Sequence, residues 1–187
     1  MVTHMPKDIG WIEVICGSMF SGKTEELIRR IKRAAIAHQQ VQVFKPKLDD
    51  RYHETNIVSH DARMFESTIV DLAEEILQHI RFDTDVVGID EAQFFDKTLV
   101  SVCETLANAK KRVIVAGLDQ NYKGEPFHPI PELLAIAEDI TKCMAICVRC
   151  GNLANRSYRI SQEKGNIVVG AKDKYEARCL KCFLRGD

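Results

Sequence analysis

The chain has no excess of charge of either sign and no long apolar run. Its formal net charge is −1 at pH 7, which provides no basic surface for duplex nucleic acid or for an anionic membrane. No apolar run approaches the roughly 20 residues that a membrane-spanning helix needs. Glu13 interrupts the first apolar stretch, so we expect no secretion signal there. These absences favour a cytoplasmic protein whose partners are small molecules, with no nucleic-acid or membrane partner.

The length of 187 residues, with 45% hydrophobic residues, suits one compact domain with a small appendage. We expect a flexible N-terminal arm or expression remnant over residues 1–9 and the main domain over residues 10–146. The remaining segment, residues 147–187, is expected to form the small appendage and a short tail.

The segment from Gly17 to Thr24 fits the pattern G-x-x-x-x-G-K-[ST] of a phosphate-binding loop. An apolar strand, residues 11–16, precedes it, and residues 25–37 carry apolar side chains at helical spacing. Glycines allow the backbone to turn successive N–H groups toward an anion, and a helix N-terminus favours negative charge. We therefore predict that a nucleoside triphosphate binds here, through Gly17, Ser18, Met19, Phe20, Ser21, Gly22, Lys23 and Thr24. The lysine would reach the outer phosphates and the threonine hydroxyl would bind Mg²⁺, the alternative being a glycine-rich turn without a ligand.

Strand-like and helix-like segments alternate along the chain, which is typical of a parallel sheet covered by helices. We predict an α/β fold with an open, mainly parallel sheet of the P-loop NTPase type and helices on both faces. The expected strands are residues 11–16, 41–45, 86–90, 113–117 and 142–146. The expected helices are residues 25–37, 69–80, 98–109 and a shorter one after Pro129. The polar, poorly periodic residues 46–67 are expected to form a mobile loop near the phosphates.

Two adjacent carboxylates, Asp90 and Glu91, follow the apolar strand 86–89. Ligands of open α/β sheets bind at the carboxyl ends of the strands. We expect Asp90 to hold Mg²⁺ opposite Thr24, and we expect Glu91 to face the acceptor and take a proton from an attacking hydroxyl or water. The alternative is that both acids merely cap the next helix.

Four cysteines form two C-x-x-C pairs, Cys147 with Cys150 and Cys179 with Cys182. Two such pairs are a strong signal for a four-thiolate zinc site. Because all four ligands come from the protein, no position remains for water, and the metal is expected to be structural. Disulfides and a redox pair are the competing interpretations.

The segment between the two cysteine pairs is expected to be a lasso closed by the metal. Residues 156–159 and 166–170 look like two short strands joined by a turn at residues 163–165. A loop anchored at both ends is suited to fold over a substrate and exclude water. We therefore predict a small zinc-ribbon-like lasso domain.

Together these segments resemble the thymidine kinases of the type II class, which combine a phosphate loop with a structural zinc lasso. The resemblance extends from Gly17 to Cys182 and rests on five segments, namely residues 17–24, 47–52, 88–95, 116–119 and the lasso with Asp173, Lys174 and Tyr175. It implies transfer of the γ-phosphate of ATP to the 5′-hydroxyl of thymidine in nucleotide salvage, with deoxyuridine also accepted. It further implies a homotetramer that thymidine triphosphate (dTTP) inhibits.

The resemblance also implies roles for particular residues. Glu91 would accept the proton of the 5′-hydroxyl, with Lys23 and Arg51 as further catalytic residues. Asp49 and Gln93 would belong to the ATP and Mg²⁺ site. The lasso backbone would read the edge of thymine, and the whole nucleoside pocket would comprise Met19, Phe94, Leu118, Tyr122, Phe127, Val168, Val169, Gly170, Ala171, Lys172 and Tyr175.

Two other functions use part of the same pattern. A P-loop ATPase would use the same loop and acids, with Glu91 activating water instead of a sugar hydroxyl. A zinc-ribbon nucleic-acid binder would use the cysteines with Arg149, Arg156 and Arg159. The near-neutral charge and the single tryptophan, Trp11, disfavour the binder.

Overall fold

A six-stranded parallel sheet forms the centre of the chain in a computed structural model, which describes residues 9–47, 67–161 and 174–186. The order of its strands is β3-β2-β4-β5-β1-β6. The strands are β1 (Trp11–Gly17), β2 (Val41–Pro46), β3 (Ser67–Val70), β4 (Val86–Ile89), β5 (Arg112–Gly117) and β6 (Asp139–Cys143). The predicted strands 11–16, 41–45, 86–90 and 113–117 are confirmed to within a residue at each end.

Helices cover both faces of this sheet, which confirms the predicted α/β class. They are α1 (Lys23–Ile36), α2 (Glu75–His79), α3 (Thr98–Asn108) and α4 (Ile130–Ile136). Successive side chains of a strand point to opposite faces, so Val14 packs toward α3 and α4 while Ile15 packs toward α1. Gly88 leaves room for α1, because a Cβ there would lie 2.7 Å from Cδ1 of Ile31.

A buried ion network fixes α1 to the edge of the sheet. Glu13 is only 5% exposed, and its carboxylate accepts hydrogen bonds from Arg30 at 2.5 Å and from Arg112 at 2.6 Å. Arg30 also donates to Asp139 at 2.8 Å and to Thr141 at 2.7 Å. Strands β1, β5 and β6 and helix α1 are therefore held together by charge as well as by apolar packing.

The cysteine-bearing part forms a small ribbon after the sheet. Its elements are β7 (Ala145–Ile146), β8 (Leu153–Ala154), β9 (Arg156–Arg159), β10 (Tyr175–Arg178) and α5 (Leu180–Arg185). β7 pairs with β8 and β9 pairs with β10, both antiparallel. Within residues 145–161 and 174–186, its core consists of the small side chains Ala145, Cys147, Ala154, Ala177 and Cys182, and a core of this size needs further support. The predicted division into residues 10–146 and 147–187 stays a prediction.

The prediction of a helix over residues 69–80 is wrong. Ser67–Val70 is strand β3, which pairs with β2, and only Glu75–His79 is helical. Leu72 and Leu77, which a helix over this range would place on its apolar side, are 54% and 39% exposed. The β-branched run at residues 68–70 favours a strand, and the helical spacing that follows spans little more than one turn.

The prediction of one strand over residues 142–146 is also wrong. The chain pairs with β1 from Asp139 to Cys143, leaves the sheet at Met144, and starts the ribbon with β7.

The predicted ribbon strand 156–159 is confirmed as β9, while the expected partner 166–170 and the turn 163–165 lie outside the described residues. Residues 1–8 and 48–66 of the predicted arm and loop lie outside them too. Among the described helices, none has the length and apolarity to cross a membrane.

Candidate active site

The loop between β1 and α1 has the backbone that the glycine pattern predicts. Gly17 and Gly22 have positive φ angles of 144° and 85°, and a Cβ at Gly17 would lie 2.3 Å from the carbonyl oxygen of Cys143. Helix α1 begins immediately afterwards, so its first N–H groups face the loop. Nζ of Lys23 donates to the carbonyl of Ser18 at 2.9 Å. This geometry is suited to hold an anion.

Asp90 meets the first turn of α1 at the carboxyl end of β4. Oγ1 of Thr24 lies 3.3 and 3.4 Å from the two carboxylate oxygens of Asp90. Burial and, after it, the neighbouring charge of Glu91 raise the pKa of Asp90 to about 6, while the charge of Lys45 opposes the shift. A hydroxyl and a carboxylate at this distance are suitable ligands for Mg²⁺, directly or through water.

Glu91 stands beside that pair in a left-handed backbone conformation, with φ of 53°. Its carboxylate accepts a hydrogen bond of 2.6 Å from Nε2 of Gln93. Oε1 of Gln93 in turn accepts from the backbone N–H of Leu118 at 2.9 Å. Because both ends of this buried amide have protein partners, Gln93 orients Glu91. The assignment of Gln93 to the ATP site stays a prediction.

Two lysines lie near the paired carboxylates. Burial lowers the pKa of Lys23, and the charges of Glu91 and Asp90 oppose that shift. Nζ of Lys45 lies 4.0 Å from Oδ2 of Asp90, and burial lowers its pKa as well, again opposed by Asp90 and Glu91. Among the described residues, the site therefore places two ammonium groups beside two carboxylates.

Aromatic side chains lie at the same edge of the sheet. The rings of Phe94 and Phe127 meet edge to face, with centroids 6.1 Å apart. The guanidinium of Arg159 stacks 3.6 Å from the ring centre of Tyr122 and donates to the hydroxyl of Tyr175 at 3.2 Å. Four of the predicted pocket residues thus fall into two sets: Phe94 with Phe127 in the main domain, and Tyr122 of the main domain joined through Arg159 to Tyr175 of the ribbon.

The ribbon is attached directly to the Gly17–Thr24 loop. The backbone N–H of Met19 donates to Oγ of Ser157 at 3.0 Å, and Oγ of Ser18 donates to the carbonyl of Ala154 at 3.4 Å. A further contact joins Arg156 to Gln120, which follows β5. The loop and the ribbon therefore form one continuous site.

The four cysteines come together as predicted. The Sγ atoms of Cys147, Cys150, Cys179 and Cys182 all lie within 4.8 Å of one another, and those of Cys150 and Cys179 are 3.6 Å apart. Four sulfurs bound to one zinc ion at about 2.3 Å would be separated by roughly 3.8 Å. The cluster therefore fits a tetrahedral zinc ion.

Several predicted site residues lie outside the described residues. They are Asp49, Arg51, Val168, Val169, Gly170, Ala171 and Lys172, and their assignments stay predictions.

The structure also adds residues that the sequence did not single out for the site. Lys45 ends next to Asp90, Arg159 contacts two predicted pocket tyrosines, and Lys142 forms an ion pair of 2.7 Å with the buried Asp119. Each lies at or after the carboxyl end of a strand, which is the one signal that could have identified them.

Comparisons with known proteins identify the family of the chain. A family model described as "Thymidine kinase" matches residues 10–183. A thymidine kinase of Rhodothermus sp. (strain ITI 518) is 62% identical over 175 residues, covering 94% of this chain and 82% of the relative. Thymidine kinases of Bacteroides thetaiotaomicron and Bacteroides fragilis are 54% and 53% identical over 176 residues, with 94% of this chain and 88% of each relative covered. The chain belongs to the thymidine kinase family, as the resemblance to its type II class predicts.

Proposed function

We propose that this protein transfers the γ-phosphate of ATP to the 5′-hydroxyl of thymidine, giving thymidine 5′-phosphate and ADP. The observation that carries this proposal is the meeting of Thr24 and Asp90 at the mouth of the glycine loop, with the oriented carboxylate of Glu91 beside them. One strand end therefore holds a metal-binding acid and a proton acceptor next to a cradle for phosphates.

The triphosphate would lie along the Gly17–Thr24 loop. Its backbone N–H groups and the N-terminus of α1 would hold the phosphate oxygens, and Lys23 would exchange the Ser18 carbonyl for the outer phosphates. Thr24 and Asp90 would hold Mg²⁺, which supplies neutralisation of phosphate charge when bound. Asp49 and Arg51 are proposed to lie at this end of the site on the basis of the family pattern.

Glu91 would accept the proton of the 5′-hydroxyl as the oxygen bonds to the γ-phosphorus. Gln93 holds this carboxylate through one hydrogen bond and is itself held by the backbone of Leu118, so the base is oriented before the substrate arrives. The bond from the γ-phosphorus to its bridging oxygen breaks, and ADP leaves with that oxygen.

The nucleoside would bind between the sheet edge and the ribbon. Phe94, Leu118, Phe127 and Met19 would surround it from the main domain, while Tyr122 and Tyr175 contact it through rings that Arg159 holds in place. The backbone of residues 168–172 is proposed to read the thymine edge. Base recognition by main-chain groups would be insensitive to side-chain substitution there.

Zinc is proposed to be structural. Cys147, Cys150, Cys179 and Cys182 would hold it with four thiolates, so the ion closes the ribbon and supplies no catalytic position. The described part of the ribbon core has few apolar side chains, so the metal would contribute much of the folding free energy of the ribbon.

The direct test follows the label of γ-³²P-ATP with thymidine, deoxyuridine, deoxycytidine or deoxyguanosine as acceptor. We expect label in thymidine 5′-phosphate and, more weakly, in deoxyuridine 5′-phosphate. Release of labelled phosphate at the same rate without any nucleoside would instead support a P-loop ATPase in which Glu91 activates water. Incubation without enzyme gives the background.

Assembly, inhibition and location rest on the family resemblance. We propose a homotetramer inhibited by dTTP and located in the cytoplasm. Light scattering after size exclusion measures the first property, and a dTTP titration of the transfer assay measures the second. A monomer, or turnover unaffected by millimolar dTTP, would overturn the respective proposal.

A further inference from the structure

Lys45 reaches the phosphoryl-transfer site from a strand that the mechanism above does not use. It is near the end of β2, where Phe44 pairs with Ile89 of β4, and the backbone N–H of Asp90 donates to the carbonyl of Phe44 at 3.0 Å. Strand pairing therefore fixes Lys45 beside Asp90, independently of any flexible loop. Its Nζ lies 4.0 Å from Oδ2 of Asp90.

At that distance the two groups attract each other as charges but form no hydrogen bond. Within the part of the chain that the structure describes, no acceptor lies within hydrogen-bond distance of the Lys45 ammonium. The side chain is only 21% exposed. An ammonium with three donors, partly removed from water and lacking a protein acceptor, is suited to bind an anionic ligand.

The surrounding charges indicate which anion this is. Lys45 lies on the β2 side of Asp90, while Thr24 reaches the same carboxylate from the glycine loop. Glu91, the proposed base, follows Asp90 directly, so the transferred phosphoryl group must pass close to these two acids. A phosphoryl group that moves toward two carboxylates needs a cation on the side of those carboxylates. Lys23 approaches from the glycine loop, so among the described residues Lys45 is the cation on the β2 side.

We propose that Lys45 is a second phosphate-binding cation, whose ammonium donates a hydrogen bond to a non-bridging oxygen of the γ-phosphate as it is transferred. This inference rests on the proposed function. Lys45 keeps its proton throughout, since the proton of the 5′-hydroxyl goes to Glu91. The contact is made only to the transferred group, so ADP would not use it.

The test compares binding of ADP and of a non-hydrolysable ATP analogue by titration calorimetry in Mg²⁺ buffer. Lys45→Met is expected to weaken binding of the analogue at least about tenfold and to leave ADP within about twofold, because only the analogue has a γ-phosphate. The kcat with thymidine should fall about 100-fold, with the KM for thymidine nearly unchanged. Lys45→Arg should restore part of both losses.

Lys47→Met is the matched control. Lys47 lies two residues further along the chain, is 48% exposed and pairs with Asp71 at 3.4 Å. The same loss of charge there should leave the affinities for ADP and for the ATP analogue unchanged. Equal affinities of Lys45→Met and wild type for the analogue would overturn the proposal, as would equal losses for both nucleotides. Thermal unfolding of each variant detects misfolding, and Lys45→Gln takes the place of the methionine variant if that one is unfolded.

The experiment separates this inference from the proposed function. If wild-type protein binds both nucleotides but transfers no phosphate to thymidine, the proposed function fails. A selective loss of the analogue in Lys45→Met would still establish Lys45 as a γ-phosphate contact, whereas no selective loss in an active kinase would refute the inference alone.

Discussion

The carboxylate of Glu91 accepts a hydrogen bond of 2.6 Å from the side-chain amide of Gln93. The amide oxygen is anchored by the N–H of Leu118 at 2.9 Å, and Glu91 itself has a left-handed backbone with φ of 53°. A non-glycine residue in this conformation is unfavourable and persists only where its surroundings fix it. The proposed base is therefore held from both its backbone and its side chain.

Replacing Glu91 with glutamine should abolish transfer while keeping nucleotide binding. Glutamine has nearly the same shape but cannot accept the hydroxyl proton, so we expect kcat to fall about 10²- to 10⁴-fold. Calorimetry with ADP should give wild-type affinity. Glu104→Gln, an exposed position on α3, is the control for loss of one acid, and near wild-type turnover in Glu91→Gln would remove the base from the mechanism.

Magnesium dependence should change with pH. Burial and the charge of Glu91 raise the pKa of Asp90 to about 6, so below pH 6 a proton competes with Mg²⁺ for this carboxylate. We expect the Mg²⁺ concentration for half-maximal activity to rise as pH falls from 7.5 to 5, approaching about tenfold per pH unit below the pKa. Excess Mg²⁺ should restore turnover at pH 5.5. The same half-maximal Mg²⁺ concentration at pH 7.5 and at pH 5 would contradict the proposal that Asp90 binds Mg²⁺.

The raised pKa of Asp90 also makes the stability of the fold depend on pH, and here lower pH is favourable. Because the folded state binds this proton more tightly than the unfolded chain, where the value is near 3.8, this group makes the free energy of unfolding decrease as pH rises from about 4 to 6. Asp90→Asn should remove that contribution. Urea unfolding of both proteins at pH 4.5 and 6.5 measures the difference.

The buried network around Glu13 should be important for stability. Arg112 and Arg30 both donate to this carboxylate, so Glu13→Gln would leave two guanidinium groups with incomplete partners. We expect the free energy of unfolding to fall by about 3 kcal/mol, measured by urea denaturation at pH 7. Glu104→Gln should be within about 0.5 kcal/mol of wild type, and a loss no larger in Glu13→Gln would show that the network contributes little.

Opening the cysteine cluster should release zinc and loosen the ribbon. Cys147→Ser removes one of four sulfurs that lie within 4.8 Å of each other, so we expect a chromophoric chelator to extract the metal readily. Thymidine binding should weaken more than ADP binding, because the ribbon contributes Tyr175 directly to the proposed nucleoside pocket but, among the described residues, is hydrogen-bonded to the phosphate loop only through Ser157 and Ala154. Cys143→Ser, outside the cluster, should retain zinc. Equal loss of both ligands would indicate general unfolding instead.

The contact between Met19 and Ser157 should couple the loop to the ribbon. Ser157→Ala leaves the Met19 N–H without its acceptor at 3.0 Å, and we expect a loss of about 1 kcal/mol in stability. The KM values for ATP and thymidine should both rise, since Met19 is proposed to belong to both sites. Ser157→Thr keeps the hydroxyl and is the control. Wild-type KM values in the alanine variant would show that this contact is dispensable.

The parts whose geometry the sequence predicted correctly are encoded in short runs of consecutive residues. The glycine loop, the acids after β4 and the two cysteine pairs each combine local pattern with one expected neighbour. The misassigned helix at residues 69–80 shows the limit, because β3 exists through its pairing with β2, which no local periodicity reveals. Lys45 and Arg159 were missed for the same reason, since their partners Asp90 and Tyr122 are far from them in the sequence.

The central claim is tested most directly by ADP release with thymidine and with 5′-deoxythymidine, which lacks only the acceptor hydroxyl. We predict rapid ADP release with thymidine, release at the background rate with 5′-deoxythymidine, and background rates with both in Glu91→Gln. Equal ADP release with the two nucleosides in the wild-type protein would contradict the account, because phosphate would then be passing to water.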